Sequence, residues 1–569
     1  MAVAVDATGE VPDLVVVGAG AAGMTAALVA ALQGLRVVLC EASQEVGGTT
    51  ATSAGTLWVP GNPHAAPAGH QDSIAAAAQY LEHLAGPDDA AGRRAAFLQS
   101  VPEALAYLEQ RSSAVRFASS GMHPDYLTLP GAALAGRAVG PLPFDGRLLG
   151  PDFIRVRPPL PEFMVLGGMM VGKADIQALI RRHRSGKDFL HSARLVLRYA
   201  VDRLRHPRGT RLVMGNALVA RLLHSLRTAG VEIRFGWRLR EIAISKGQVQ
   251  GALFQTTDGV ARLQANAGVV LATGGVGHDA ALRRELLSTG DRIYSLACES
   301  VRGEGLQAAR RAGARLKQHP LGNLLWQPVS RVPRPDGSRG LFPHIFLDRA
   351  KPGLIAVDAA GRRFVDEATS YHYFVEALMG LPGPPPHGRA WLVCDAAFVR
   401  RYGLGIVPPG TRSLARWVAT GYIHACSTLE ELGRRTGIAA EGLRISVERM
   451  NAFAASGNDP DFGKGSAELD RFNGDPDQSP NACLGTIAVP PFVALEVHAA
   501  DAASSAGLAT TSDGEVLDDA GNVIRGLFAC GNDAASIFRG AYPGPGATLG
   551  PAVVFGYRVA RAAAARATR

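Results

Sequence analysis

The sequence predicts an α/β protein, a parallel nucleotide-binding sheet interrupted by an inserted α+β domain. Three observations predict it. A strand, a glycine-rich turn, a helix and a second strand open the chain over residues 13–55. An apolar run ending in small residues, GVVLATGG at 268–275, has the character of a strand returning to that sheet. After a long mixed segment, residues 526–569 again read as a strand, a glycine turn and an alanine-rich helix.

The opening unit carries the most information. Residues 14–17 are wholly apolar, as a strand covered on both faces requires. Gly18, Gly20 and Gly23 follow at the GxGxxG spacing, with Ala21 and Ala22 opening the helix. In such a turn the first glycine permits the tight bend and the second admits a pyrophosphate. The third lets helix and sheet pack closely, and the helix N-terminus faces the phosphates. A second strand, 37–40, ends at Glu41, followed by Ala42. A carboxylate there can accept hydrogen bonds from both ribose hydroxyls of an adenosine.

The loop EVGGTTATSAG, 45–55, resembles the second phosphate and isoalloxazine contact of FAD enzymes in the fumarate reductase and 3-ketosteroid dehydrogenase superfamily. Gly47 and Gly48 would offer backbone N–H groups to a pyrophosphate. Thr49, Thr50 and Ser53 would offer hydroxyls to flavin or ribose, with Ala54 and Gly55 closing the loop. The expected fold is therefore a Rossmann-like FAD-binding domain of the glutathione reductase type with an inserted α+β catalytic domain. Ala272, Thr273 and Gly274 in the returning strand complete this portion of the expected cofactor set. No histidine lies in the 45–55 loop to bond the flavin, so non-covalent FAD is expected.

Composition bounds the rest. A chain of 569 residues with 47% hydrophobic and 19% charged residues builds a large core and more than one domain. The six cysteines are scattered, without CxxC or CxxCH, which removes zinc ribbons, redox pairs and attached haem. No recognition module accompanies the net charge of +9, so nucleic acid is not an expected partner. No basic, apolar leader opens the chain and no apolar run demands a bilayer span; a reducing cytosolic location is expected.

Along the chain, helical patterns run over 73–84 and 89–110, the second divided by Pro102. Residues 123–161 are rich in Pro and Gly and contain HPDY, ending at Tyr126. The apolar FMVLGGMMVG, 163–172, precedes a helical pattern over 176–199. Basic residues decorate that stretch: Arg181, Arg182, Arg184, Lys187, Arg194 and Arg198, continuing through Arg203, Arg205, Arg208 and Arg211. A helix over 216–230, a strand over 231–235 and a meander over 238–255 come next. The expected division is a first FAD-binding segment over residues 1–300 with a basic insertion at 163–211, an inserted catalytic domain over 301–490, and a second FAD-binding segment over 491–569.

The C-terminal motifs resemble the 3-ketosteroid Δ1-dehydrogenases. They are Gly531, Asn532 and Ser536 of GNxxxS, then YPGPG at 542–546, then Gly550 and Pro551. Segments 342–374 and 206–223 are similar to that family as well, and the likeness thins over 383–480. It implies that Tyr542 and the Gly546 N–H bind a 3-oxo group. It also implies that a tyrosine after GRRFVDE removes the C2 proton, with hydride passing from C1 to the flavin. Either Tyr371 or Tyr373 of SYHYF fits, and Tyr371 is favoured, with His372 on the other face. A phenol near pKa ~10 is a poor base unless its anion is stabilised, and Tyr126 is the matching partner. Gly546, Thr548 and Leu549 would meet the flavin where the last helix begins.

The reading is FAD-dependent 1,2-desaturation of a 3-ketosteroid, with a quinone-type electron acceptor. Alternatives are a Δ4-dehydrogenase, a fumarate reductase-like enzyme using Arg349 and His319, and a non-catalytic FAD-fold binder. Peripheral membrane contact through 163–211 at the inner face of the cell membrane is also expected.

Overall fold

The computed structural model describes residues 4–5, 11–88, 90–172, 175–176, 178–179, 185–287, 293–345, 348–383 and 388–567. Arg181, Arg182 and Arg184, and the predicted helix start at Asp89, lie outside the described residues.

The first sheet is built on five parallel strands: β1 (Leu14–Val17), β2 (Val37–Glu41), β3 (Glu232–Phe235), β4 (Gly268–Leu271) and β5 (Val523–Ala529). Their spatial order is β5-β4-β1-β2-β3. All four residues of β1 are buried, because β2 and β4 pair with its two edges and helices cover it. The predicted meander is present and gains a third strand: Arg238–Ser245, Gln248–Thr256 and Gly259–Gln264 run antiparallel beside β5.

Six helices position the site. They are α1 (Ala21–Leu32), α2 (Gly48–Thr52), α3 (Gly186–Asp202), α4 (Met214–Thr228), α5 (Tyr371–Met379) and α6 (Leu549–Ala567). Helix α1 packs against α4 and α6. Gly556 of α6 makes the approach feasible, since a Cβ there would meet the Ala22 carbonyl at 2.8 Å.

The second sheet has seven strands. Its centre is Phe492–Ser504, paired with Leu324–Pro333 and Ala390–Asp395. That central strand falls beyond residue 490, so the 491–569 segment contributes to both sheets. Helix α5 packs on Leu324–Pro333. Ser370 caps α5 by accepting the Tyr373 N–H at 3.5 Å, which starts the helix at Tyr371.

Two expectations are corrected here. Pro102 does not divide its helix: Arg93–Arg111 is continuous. The buried face of Phe97, Val101, Leu105 and Leu108 outweighs the ~3 kcal/mol cost of an interior proline. The apolar run 163–172 is not an exposed stretch. It forms the hairpin Met164–Val165 with Met169–Met170; Met169 and Val171 are buried against Leu195, and Met170 is buried in the main core. Leu166 and Gly167 at its tip are exposed.

A buried charge cluster stiffens the inserted domain. Arg363 bridges Glu367 at 2.8 Å and Asp459 at 2.9 Å, and Lys464 lies 3.3 Å from Glu367. Beside it, burial and the neighbouring Asp470 and Glu367 push the Asp366 carboxyl up to about 8. The folded state thus holds a proton that the unfolded chain releases near pH ~4. Stability is lost as pH rises toward 8. Asp366→Asn should remove this loss, so the variant should melt higher than the parent at pH 8 and show a smaller gain at pH 5, read by calorimetry.

Candidate active site and cofactor cleft

The turn after β1 separates two kinds of glycine. Gly18 has φ +103°, and a Cβ there would sit 2.2 Å from the Ala272 carbonyl. A Cβ on Gly23 would sit 1.9 Å from the Gly18 carbonyl. Packing alone demands both. Gly20 is different: its Cβ would meet only the Thr50 hydroxyl, at 3.8 Å. Gly48 likewise has nothing within 4 Å. Space at those two positions is what a close-lying pyrophosphate requires. The first turn of α1 holds no acidic residue, so its positive end is unopposed there.

The flanking groups are locked by short hydrogen bonds. Ala19 N–H donates to Glu41 at 2.9 Å, and the Ser43 N–H and hydroxyl donate to the other carboxylate oxygen. Glu41 is buried, held at the end of β2 with acceptor capacity remaining. Ala42 follows it half-buried. Ala21 N–H donates to the Thr50 hydroxyl at 3.1 Å, tying α1 to α2. Thr49 accepts the Cys298 N–H at 3.0 Å. The Ser53 hydroxyl donates to the Thr50 carbonyl and accepts the Gly55 N–H, so it ends α2. Gly55 lies against Met214 at the start of α4, and Ala54 is exposed.

The returning strand meets the C-terminal motif through Asp533, a residue that the sequence motifs do not single out. Asp533 accepts from the Thr273 N–H, from the Thr273 hydroxyl at 3.0 Å and from the Gly275 N–H at 2.9 Å. Burial pushes its carboxyl up to about 6. It fastens Ala272, Thr273 and Gly274 to Gly531 and Asn532; its only sequence signal is its place after GLFACGN. A cleft runs from there to the start of α6, lined by Gly531, Asn532, Thr548 and Pro551 and by the unforeseen Ser504 and Leu325. The last helix begins at Leu549.

The three tyrosines come from separate regions of the chain and meet. Tyr126 donates its hydroxyl to Tyr371 at 3.0 Å, and Tyr371 donates to Tyr542 at 2.9 Å. The rings of Tyr126 and Tyr542 stack at 5.5 Å, with Tyr371 edge-on to both. Burial pushes all three hydroxyls well above the ordinary tyrosine range. Tyr373 is not in this chain of hydroxyls; its own accepts the Tyr542 backbone N–H at 3.5 Å. His372 is not turned away, as the sequence suggested. It is buried, accepts the Trp326 N–H at 3.2 Å and lies 5.5 Å from the Tyr542 ring.

Gly546 has φ +90°, and a Cβ would sit 2.2 Å from the Thr56 carbonyl. Only glycine fits. Among the described residues no acceptor meets its N–H.

Comparison with known proteins shows the family. The FAD binding domain family model matches residues 13–549. The 3-oxosteroid 1-dehydrogenase of Mycolicibacterium smegmatis is 35% identical, covering 98% of each chain. The chain belongs to the FAD-dependent dehydrogenase family that contains the 3-oxosteroid 1-dehydrogenases. The 4-oxocyclohex-2-ene-1-carboxylate 5-dehydrogenase of Sinomonas cyclohexanicum is 38% identical, covering 97% of this chain and 94% of that one. A solved 3-ketosteroid Δ1-dehydrogenase from Sterolibacterium denitrificans, in complex with 1,4-androstadiene-3,17-dione, superimposes with a TM-score of 0.89. It is 31% identical, and the match covers 98% of this chain and 100% of that one. This flavoprotein has FAD as its cofactor, and its fold is similar to that of a flavocytochrome c3 fumarate reductase, at a TM-score of 0.63 and 20% identity over 99% of this chain and 80% of that one.

Glu41 gives a direct check on the cleft. Glu41→Ala removes a buried acceptor and frees the Ala19 N–H. FAD affinity should fall about 10- to 100-fold, as loss of one charge-assisted hydrogen bond predicts. Flavin fluorescence on titrating apoprotein measures it. Acid precipitation of the parent should release all its flavin; a yellow pellet would show a covalent bond.

Proposed function

We propose that the protein desaturates a cyclic 3-ketone between C1 and C2, with a 3-ketosteroid as substrate. The hydroxyl chain Tyr126–Tyr371–Tyr542 carries this reading. Tyr542 and the Gly546 N–H are the donors for the ketone oxygen. Two fixed donors pull electron density from the ring and acidify the C2–H. Tyr371, between the other two hydroxyls, acts as the phenolate, takes that proton and becomes a neutral phenol; Tyr126 stabilises the phenolate by donating its hydroxyl hydrogen bond. Bound FAD supplies the hydride acceptor for C1. Glu41, Thr49, Thr50 and the glycines of both phosphate loops hold it.

The surroundings favour a large apolar ketone. The three tyrosines belong to one apolar cluster with Leu325 and Leu469, with Leu129 and Ile345 packed against it. A dicarboxylate would need cationic clamps. Arg349 is not available for one, because all three of its nitrogens donate to backbone carbonyls. The named activity of the 38% identical relative supports a second reading, a cyclohexenone carboxylate, which would leave its carboxylate facing this apolar cluster.

Tyr371→Phe and Tyr542→Phe should each lower turnover by about 10²–10³ with FAD retained, the effect of losing one transition-state hydrogen bond. Tyr373→Phe should stay within a few-fold of the parent. Stopped-flow flavin reduction reads each one. Full activity in Tyr371→Phe would remove it as the base.

We infer further that the enzyme rests on an anionic membrane surface, near lipid-dissolved substrate and a quinone-type acceptor. Helix α3 supports this: Phe189, Leu190, Leu197 and Val201, with Leu204 just beyond, form an exposed apolar stripe. Lys187, Arg194, Arg203 and Arg205 are exposed around it. Arg198, Arg208 and Arg211 turn inward instead, to Asp145, to Asn216 and to Asp175. Each basic group at the surface contributes about 1 kcal/mol. The protein should float with anionic vesicles at low salt, and Leu197→Glu with Val201→Glu should abolish flotation. A parent that stays at the bottom of the gradient contradicts the inference.

A further inference from the structure

Arg349 is a buried cation whose side-chain hydrogen bonds all go to neutral carbonyls. Its side chain donates to the carbonyls of His344 at 2.9 Å, Ile345 at 3.2 Å, Glu367 at 2.9 Å and Thr369 at 3.1 Å. Two of these lie in the loop that ends at Ser370 and Tyr371. Its guanidinium also covers the Phe374 ring of α5 at 4.8 Å. One residue thus clamps the base-bearing helix to the 344–349 segment.

Asp348, Asp366 and Glu367 act on Arg349, Asp348 most, but burial still holds its guanidinium down at about 10, and each acid has other partners. Asp348 pairs with His344 at 2.6 Å and accepts the Gly405 N–H. Glu367 is held by Arg363 and Lys464. Asp366, pushed up to about 8, is largely neutral at neutral pH. The charge of Arg349 is therefore incompletely matched, and Tyr126 is among the groups it acts on. The other titratable groups that act on Tyr126 are Tyr371, Tyr542 and Tyr80, all neutral phenols that give no positive charge.

We propose that Arg349 is a positioning residue for proton abstraction: its fixed charge stabilises the anion shared by the Tyr126–Tyr371 hydroxyl pair, while its four carbonyl contacts hold Tyr371 in place. This rests on the reading of Tyr371 as the base. It also accounts for a burial that would otherwise disable the base. Removing three phenols from water disfavours their anions, and a nearby cation that has itself lost its water opposes that. In a dry site this effect acts over more than a hydrogen-bond length.

The test is the pH dependence of kcat/KM for steroid dehydrogenation by the holoenzyme, in an Asp366→Asn background that removes the other group titrating near pH 8. Arg349→Gln should move the alkaline-rising limb up by about one pH unit or more, the size expected when an opposite charge is lost. Arg349→Lys should restore most of the shift. Asp348→Asn leaves Arg349 in place and removes a neighbouring negative charge, so the limb should move down. Flavin absorbance confirms that each variant is loaded. An unmoved limb in both Arg349→Gln and Asp348→Asn overturns the proposal, even if activity falls. Should Arg349→Gln fail to fold, the Asp348 variant decides it: a limb that does not move down overturns the proposal. If Tyr371→Phe retains full activity, the assignment of the base fails first; if Tyr371→Phe is inactive and the limb is fixed, the role of Arg349 alone fails.

Discussion

A single carbonyl oxygen, that of Pro543, ties the reaction centre together. It accepts the Tyr126 N–H at 2.9 Å and the Tyr80 hydroxyl at 2.8 Å. The first bond sets the backbone of one tyrosine against the segment that bears another. The glycines around it then allow a contact no larger residue permits. Gly544 lies against the Trp58 ring, Gly546 against Thr56, and Gly550 against the Trp58 carbonyl. Trp58 is fixed in turn by its indole N–H to Asp125 at 2.8 Å, and Asp125 by Arg137 at 2.6 Å. Burial pushes Asp125 up to about 6, and Arg137, shared with Asp72, opposes that. A packed aromatic and a buried ion pair therefore stand directly behind the 542–546 turn, the proposed oxygen-binding site. Such support is what makes donors at Tyr542 and Gly546 fixed rather than adaptable, and fixed donors need no reorganisation as charge develops.

The two sheets divide the work. The parallel sheet presents the glycine turn, Glu41 and the 45–55 loop at the carboxyl ends of its strands, the usual place for a nucleotide. The second sheet brings Leu325 to the cleft and supports α5, hence Tyr371. The tyrosine pair therefore depends on how the two sheets dock, since Tyr126 comes from the segment between β2 and β3 and Tyr371 from the inserted domain. Asp533 and Ser504 are two seams of that docking. Ser504 ends the long central strand of the second sheet and accepts the Val276 N–H at 2.8 Å.

The turn chemistry is legible in the sequence and the long-range pairing is not. GxGxxG, the Gly47–Gly48 loop and YPGPG can be read because their glycines answer to steric demands that few residues meet. The strand 14–17 is legible because both faces are buried. Asp533 and Ser504 are not, because a buried polar residue in a loop or at a strand end looks ordinary until its partners arrive from more than two hundred positions away. The central strand Phe492–Ser504 falls in the other sheet from the one its position suggests, for the same reason. Pro102 misleads because local propensity says nothing of the core face that overrides it. In 163–172 the hydrophobicity is plain, but a hairpin folds much of it inward, and the exposed apolar face lies on α3 instead.

The most direct measurement of the central claim is anaerobic titration of the purified yellow protein with androst-4-ene-3,17-dione, followed by identification of the product. The account predicts that the flavin's visible absorption bleaches in proportion to added steroid and that the product gains a double bond between C1 and C2. Flavin that stays oxidised with the steroid but bleaches with 4-oxocyclohex-2-ene-1-carboxylate would contradict the account, as would a product that lacks a new C1–C2 double bond.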